Sequence, residues 1–160
     1  IIKIRDHFNR VIALHPMPAM HTRKDKKGNV ILLGLVGKNK KYKKDDIIFQ
    51  DIEFAKTHCQ RQDRLFICDG DALIVPQKRL VNILKRIKER LPWVKRVGLY
   101  ANTKGIAMKT DEQLKELHEL GVKIAYMGLE SGDDIILKEI KKGADSSKMI
   151  KMGKRVMLIN

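Results

Sequence analysis

Short apolar runs alternate with stretches of helical spacing along most of this chain. Leu65-Phe66-Ile67, Val97-Gly98-Leu99 and Val122 to Met127 each have the length of a buried strand. Between them, Leu80, Ile83, Leu84, Ile87 and Leu91 recur at helical intervals, as do Leu114, Leu117 and Leu120, with charged residues on the opposite positions. Asp45-Asp46 can cap an earlier helix carrying Ile47, Ile48, Ile52 and Ala55. Pro76 fits the first turn of the helix after Arg64 to Cys68. Trp93 to Tyr100 reads as the second strand, and Thr110 with Gln113 as a capping box. Gly121 reads as a helix stop. Asp133-Asp134 starts a helix through Ile135, Ile136 and Ile140, stopped near Gly143, and Asp145 or Ser146 caps a last one through Met149, Met152 and Val156. Strands alternating with helices of this length predict an α/β fold of repeated βα units with a mainly parallel sheet.

Each of the three strands ends in a small polar cluster. These are Cys68-Asp69-Gly70-Asp71, Tyr100-Ala101-Asn102-Thr103 and Gly128-Leu129-Glu130-Ser131-Gly132-Asp133. In a parallel sheet all three fall on one rim, at the carboxyl ends of the strands, where α/β proteins bind ligands. Two carboxylates around a permissive glycine can hold an ammonium group or a hydroxyl. The Asn102 amide can donate and accept, and Glu130 could meet ribose hydroxyls or an amine. Each cluster also has a structural reading: Asp71 as a helix cap after a tight turn, Asn102 and Thr103 as a loop turn, Glu130 as a cap of the following helix.

The first 44 residues are less regular. Val11 to Leu14 and Val30 to Val36 could be strands, while Lys24 to Asn29 and Gly37 to Lys44 read as charged loops. Residues 1–44 therefore form a separate basic segment ahead of a βα core at 45–160. The chain has 160 residues and a net charge of +15. Part of that charge is local, because His21 to Lys44 holds nine basic residues against one aspartate. Such a field attracts phosphates, nucleic acid or anionic surfaces, unless it is simply a solvated face. Aromatic residues make up only 5% of the chain, so base-stacking side chains are few.

Two cysteines, Cys59 and Cys68, are too few for a disulfide scaffold. No apolar run reaches the ~20 residues of a membrane span, and no secretory pattern opens the sequence, so a reducing cytoplasm is the expected setting. The histidines show no metal-ligand spacing. No phosphate-binding GxxxxGK[ST] loop and no GxSxG element occurs.

From about Asp46 to Val156 the chain resembles the radical S-adenosylmethionine (radical SAM) proteins, in particular their Fe–S oxidoreductase group. Phe66 to Leu73 resembles the second barrel strand and its loop, Tyr100 to Gly105 the third, and Gly128 to Asp134 with Lys141-Lys142-Gly143 the fourth. The resemblance implies a partial (β/α) barrel, S-adenosylmethionine as ligand and a four-iron four-sulfur cluster. It implies Gly70 and Asp71 near the methionine amino group, Glu130 and Ser131 near the ribose or carboxylate, and Asn102 lining the same pocket. The family holds its cluster through a CxxxCxxC loop after the first strand, and thiolate ligands are what such clusters require. Here Lys26 to Gly37 contains no cysteine, so no metal site is expected and the chain alone is expected to lack turnover. The match covers strands up to the fourth, which implies an open sheet edge and self-association through it. The alternative function is a basic module that binds nucleic acid or another anionic partner.

Overall fold

The computed structural model describes residues 2–5, 11–15, 23–24, 31–35, 43–60, 62–68 and 71–157. Strands β1 (Ile2–Arg5) and β2 (Val11–His15) form an antiparallel hairpin. A five-stranded sheet follows in the order β3 (Arg23–Lys24), β4 (Ile31–Leu33), β5 (Arg64–Ile67), β6 (Arg96–Tyr100), β7 (Val122–Tyr126). β3 runs antiparallel to β4, and β4 to β7 are all parallel. The helices are α1 (Asp45–His58), α2 (Gln77–Arg90), α3 (Thr103–Ala107), α4 (Asp111–Glu119), α5 (Asp134–Glu139) and α6 (Ser146–Met157).

A parallel pair needs a crossover, and crossovers are right-handed. With strands in sequential order, that rule puts α1, α2 and α4 on one face of the sheet. The register explains why that face is dry. Ile31, Leu65 and Val97 lie side by side, as do Leu33, Ile67 and Leu99, and all six are at most 2% exposed. Against them pack Ile48 and Ile52 of α1, Leu80, Ile83, Leu84 and Ile87 of α2, and Leu114 and Leu117 of α4. These are the apolar stripes of the sequence pattern, except that Ile47 of α1 turns to solvent.

Several element ends differ from expectation for local reasons. α1 begins with Lys44 at its N-cap and no side-chain cap, so Asp45 and Asp46 sit inside the first turn, where carboxylates suit the positive end of the helix. Pro76 takes the N-cap position of α2 rather than its first turn. β6 starts at Arg96, because Trp93 lies in the turn before it and donates its indole N–H to the Cys59 carbonyl at 3.0 Å. Lys24 belongs to β3 rather than to a loop. α3 is an extra short helix where a loop turn was expected. The capping box of Thr110 and Gln113 is present, and Gly121 ends α4 with φ at 105°. Val30 and Val36, and most of the basic segment 21–44, lie outside the described residues.

One buried ion pair fastens α1 to the segment that leads into it. Lys43 Nζ meets Asp51 Oδ2 at 2.6 Å, and both side chains are about 5% exposed, at 4% and 6%. Arg79 of α2 joins the same corner through Asp45 Oδ1 at 2.7 Å and through the Lys43 carbonyl. Removing one partner of a buried pair leaves the other charge uncompensated, at about 3–5 kcal/mol. Asp51→Ala should therefore lower unfolding stability by about that amount in urea melts, and a loss of only a few tenths of a kcal/mol would refute this role.

Candidate functional site

The rim at the carboxyl ends of β5, β6 and β7 is assembled from caps. After β5, Gly70 lies outside the described residues. Asp71 Oδ1 accepts the Leu73 N–H at 3.1 Å and so caps the 3-10 turn Ala72–Ile74. After β6, Asn102 Oδ1 accepts the Gly105 N–H at 2.8 Å and caps α3. These two loops meet at Gly105. A Cβ there would lie 2.3 Å from Asp71 Oδ2, so only glycine leaves room for the carboxylate.

Asp71 is 8% exposed, and its second oxygen, Oδ2, completes no hydrogen bond. Burial pushes its pKa up from 3.8; the Leu73 amide, the nearby Asn102 amide and the Lys109 charge act against that without overcoming it. Lys109 is itself 6% exposed and donates to the Val75 carbonyl at 2.8 Å. Burial pulls the Lys109 pKa down, opposed by Asp71. Arg155 of α6 closes the corner, donating to the Ile106 and Lys109 carbonyls at 3.0 and 2.6 Å and pairing with Asp111. Here Asp71 and Asn102 join two loops of the rim, with their side-chain bonds directed to backbone amides.

The cluster after β7 is a separate assembly. Glu130 has φ at 61°, a conformation uncommon outside glycine. Its carboxylate pairs with Lys142 at 3.0 Å and folds back over Gly128. Ser131 Oγ accepts the Asp133 N–H at 3.0 Å, and Asp133, rather than Glu130, caps α5. Glu130 and Ser131 line an open hollow of about 660 Å³ together with Met127, Leu129, Met149 and Ile150. Asp71 and Asn102 do not line it. The structure thus brings Asp71 to Asn102 and Glu130 to Ser131, and no described cavity is shared by the two pairs.

The sheet face away from the helices carries a different set. Tyr100 and Tyr126 end β6 and β7, and Phe66 is the penultimate residue of the neighbouring β5. The Phe66 ring centroid is 4.9 Å from Tyr100 and 5.6 Å from Tyr126, and the two tyrosines are 6.3 Å apart. Gly98 makes this possible. A Cβ there would lie 2.8 Å from the Phe66 ring, which rests on the bare backbone of β6. Tyr100 and Tyr126 remain 42% and 52% exposed. Exposed rings at strand ends form a platform on which a planar base can stack. Lys109 and these three aromatics are the residues that motif reasoning passed over. The period-2 alternation did hold a signal, since Phe66 and Tyr100 flank the core positions Ile67 and Leu99.

An iron–sulfur cluster does not fit the donor set of these residues. The chain has two cysteines where three thiolates are needed. Cys59 is buried beneath Trp93, and Cys68 lies at the rim end of β5. The described residues contain no group of three or more metal-ligating side chains.

Gly105→Ala should destabilise the fold by about 1–3 kcal/mol through overpacking. In an Asp71→Ala background the cost should shrink, giving a coupling of about 0.5–3 kcal/mol in a double-mutant cycle; strict additivity would contradict the contact. Asp71 also has a pH signature. Its folded pKa is raised, so the folded chain holds the proton more tightly than the unfolded chain does. Its contribution is most favourable below 3.8 and is lost as pH rises through the folded value. Asp71→Asn keeps an acceptor for Leu73 and never ionises. Its stability relative to the parent should climb with pH across that window and level off above it; a relative stability that falls with pH would be inconsistent. Comparison of the chain with protein-family models, with curated proteins and with solved structures returns no match in any of the three.

Proposed function

We propose that this chain is a radical-SAM-like βα domain, part of a (β/α) barrel wall, that binds S-adenosylmethionine on the open face of its parallel sheet. The observation that carries this reading is the aromatic trio Phe66, Tyr100 and Tyr126 on three adjacent parallel strands, with Tyr100 and Tyr126 exposed. Adenine is a flat π system, and a sulfonium is a cation that aromatic faces attract. The sequence resemblance across 46–156 supports the same ligand. Asp71, Asn102, Glu130 and Ser131 are already engaged in caps and one ion pair, so in this reading they shape the rim and the rings supply the contact. The reading stops at binding. Reductive cleavage of the ligand calls for thiolates that these 160 residues do not supply.

The trio also favours a second reading, in which single-stranded nucleic acid stacks on the same rings and the +15 charge holds its phosphates. Calorimetric titration with S-adenosylmethionine and with a short oligonucleotide separates the two. The leading reading predicts saturable binding of the small ligand. Tyr100→Ala or Tyr126→Ala should weaken it about five- to hundred-fold, the value of one stacking contact at ~1–3 kcal/mol. Oligonucleotide binding that collapses with salt, with no small-ligand binding, would favour the second reading. Unchanged affinity in both tyrosine variants would remove the platform from either.

A further inference from the structure

Towards the amino ends of the strands the open face of the sheet changes character. Arg64 opens β5 and Arg96 opens β6, and the register pairs them directly. Side chains alternate along a strand, so Arg64 shares the face of Phe66, and Arg96 that of Gly98 and Tyr100. The intervening Leu65 and Val97 turn into the core, each 2% exposed. β5 and β6 are flanked by β4 and β7, so the arginine pair sits inside the sheet. Neighbouring strands lie about 4.8 Å apart, and like charges at paired positions repel. The arginines on the helices are placed differently: Arg79, Arg86, Arg90 and Arg155 each meet a carboxylate of another element. On the open face Asp63 comes within 3.7 Å of Arg64, with the two side chains 51% and 53% exposed. Among the described residues no side chain pairs with the exposed Arg96 guanidinium.

A repulsive pair with so little compensation calls for an anion between its members. Two guanidinium forks one strand spacing apart suit a phosphate, whose oxygens accept parallel N–H bonds from each. Phe66 stands two residues beyond Arg64, about 7 Å along the strand, and Tyr100 four residues beyond Arg96, about 13 Å. With the reach of an arginine side chain, one nucleotide bridges that gap between its base and its phosphate. We propose that Arg64 and Arg96 form a phosphate seat, so that the open face takes a nucleoside phosphate whose base lies on Phe66, Tyr100 and Tyr126. The seat goes beyond the binding of S-adenosylmethionine, which carries no phosphate; it uses the same rings and does not depend on that ligand. A free nucleotide and a single strand share this chemistry, and the experiment separates them.

The full chain is titrated calorimetrically, at one low salt concentration, with adenosine, adenosine 5′-monophosphate and an adenylate trinucleotide. The monophosphate should bind about tenfold or more tightly than adenosine, the worth of one charge-assisted contact. Arg64→Gln and Arg96→Gln should each remove most of that gap and leave adenosine within about twofold of its parent affinity. Tyr100→Ala should weaken adenosine and the monophosphate alike. Thermal melts separate a seat from a structural role. Arg96→Gln relieves the repulsion, so its midpoint should hold or rise. Arginine dependence of the monophosphate assigns the seat to a free nucleotide, and arginine dependence of the trinucleotide alone assigns it to a single strand; both uphold it. Four results would overturn the proposal. One is no binding of any of the three ligands at millimolar concentration. Another is equal affinity for adenosine and the monophosphate, with a trinucleotide indifferent to both arginine variants. The third is unchanged binding of all three ligands in Tyr100→Ala. The last is a fall in the melting midpoints of both arginine variants, which would mark the pair as structural.

Discussion

Everything in this molecule depends on four parallel strands lying in sequential order. Parallel pairing forces a crossover between each pair, and the fixed hand of crossovers sends every one to the same side. One face of the sheet is then sealed by helices, and the alternate residues Leu65, Ile67, Val97 and Leu99 become the core. The same geometry sends no crossover helix of the described residues to the other face. It also collects the strand ends, and the polar clusters after them, on one rim. The sealed face, the open face and the rim are consequences of a single topological choice.

The rim and the open face do different work. At the rim, polar side chains are consumed by the need to end strands and start helices. Asp71, Asn102 and Asp133 each accept backbone N–H groups that would otherwise go unpaired. Glu130 is tied to Lys142. The buried Asp71 with its unpaired oxygen is the exception, and Gly105 exists to accommodate it. On the open face Tyr100 meets Phe66 and Tyr126 edge to face, and the two tyrosines stay exposed. Their π faces are not consumed by any backbone requirement, so binding chemistry has more to work with there.

The sequence pattern revealed the frame better than the contents. The stripes of α2 and α4, the capping box at Thr110 and the stop at Gly121 were legible because each follows from residues a few positions apart. A mainly parallel sheet could be expected from the alternation of three βα units. The meeting of Asp71 with Gly105 was not legible, since it depends on two loops thirty-four residues apart in sequence brought together by strand register. α3 escaped notice because five residues carry too little periodicity. The separation of Glu130 and Ser131 from Asp71 and Asn102 was hidden for the same reason: motifs state which strand a residue follows, and not which way its side chain turns. The aromatic trio was visible only as one ring per strand until pairing placed Tyr100 beside Tyr126 and Phe66 over Gly98.

The central claim is that ligand chemistry sits on the open aromatic face and not in the capped rim. Intermolecular nuclear Overhauser contacts from the adenine protons of S-adenosylmethionine test it most directly. The account predicts contacts to the ring protons of Tyr100, Tyr126 and Phe66. Contacts confined to Leu73, Ile106 and other side chains on the helix-covered side, with none to the three rings, would contradict it.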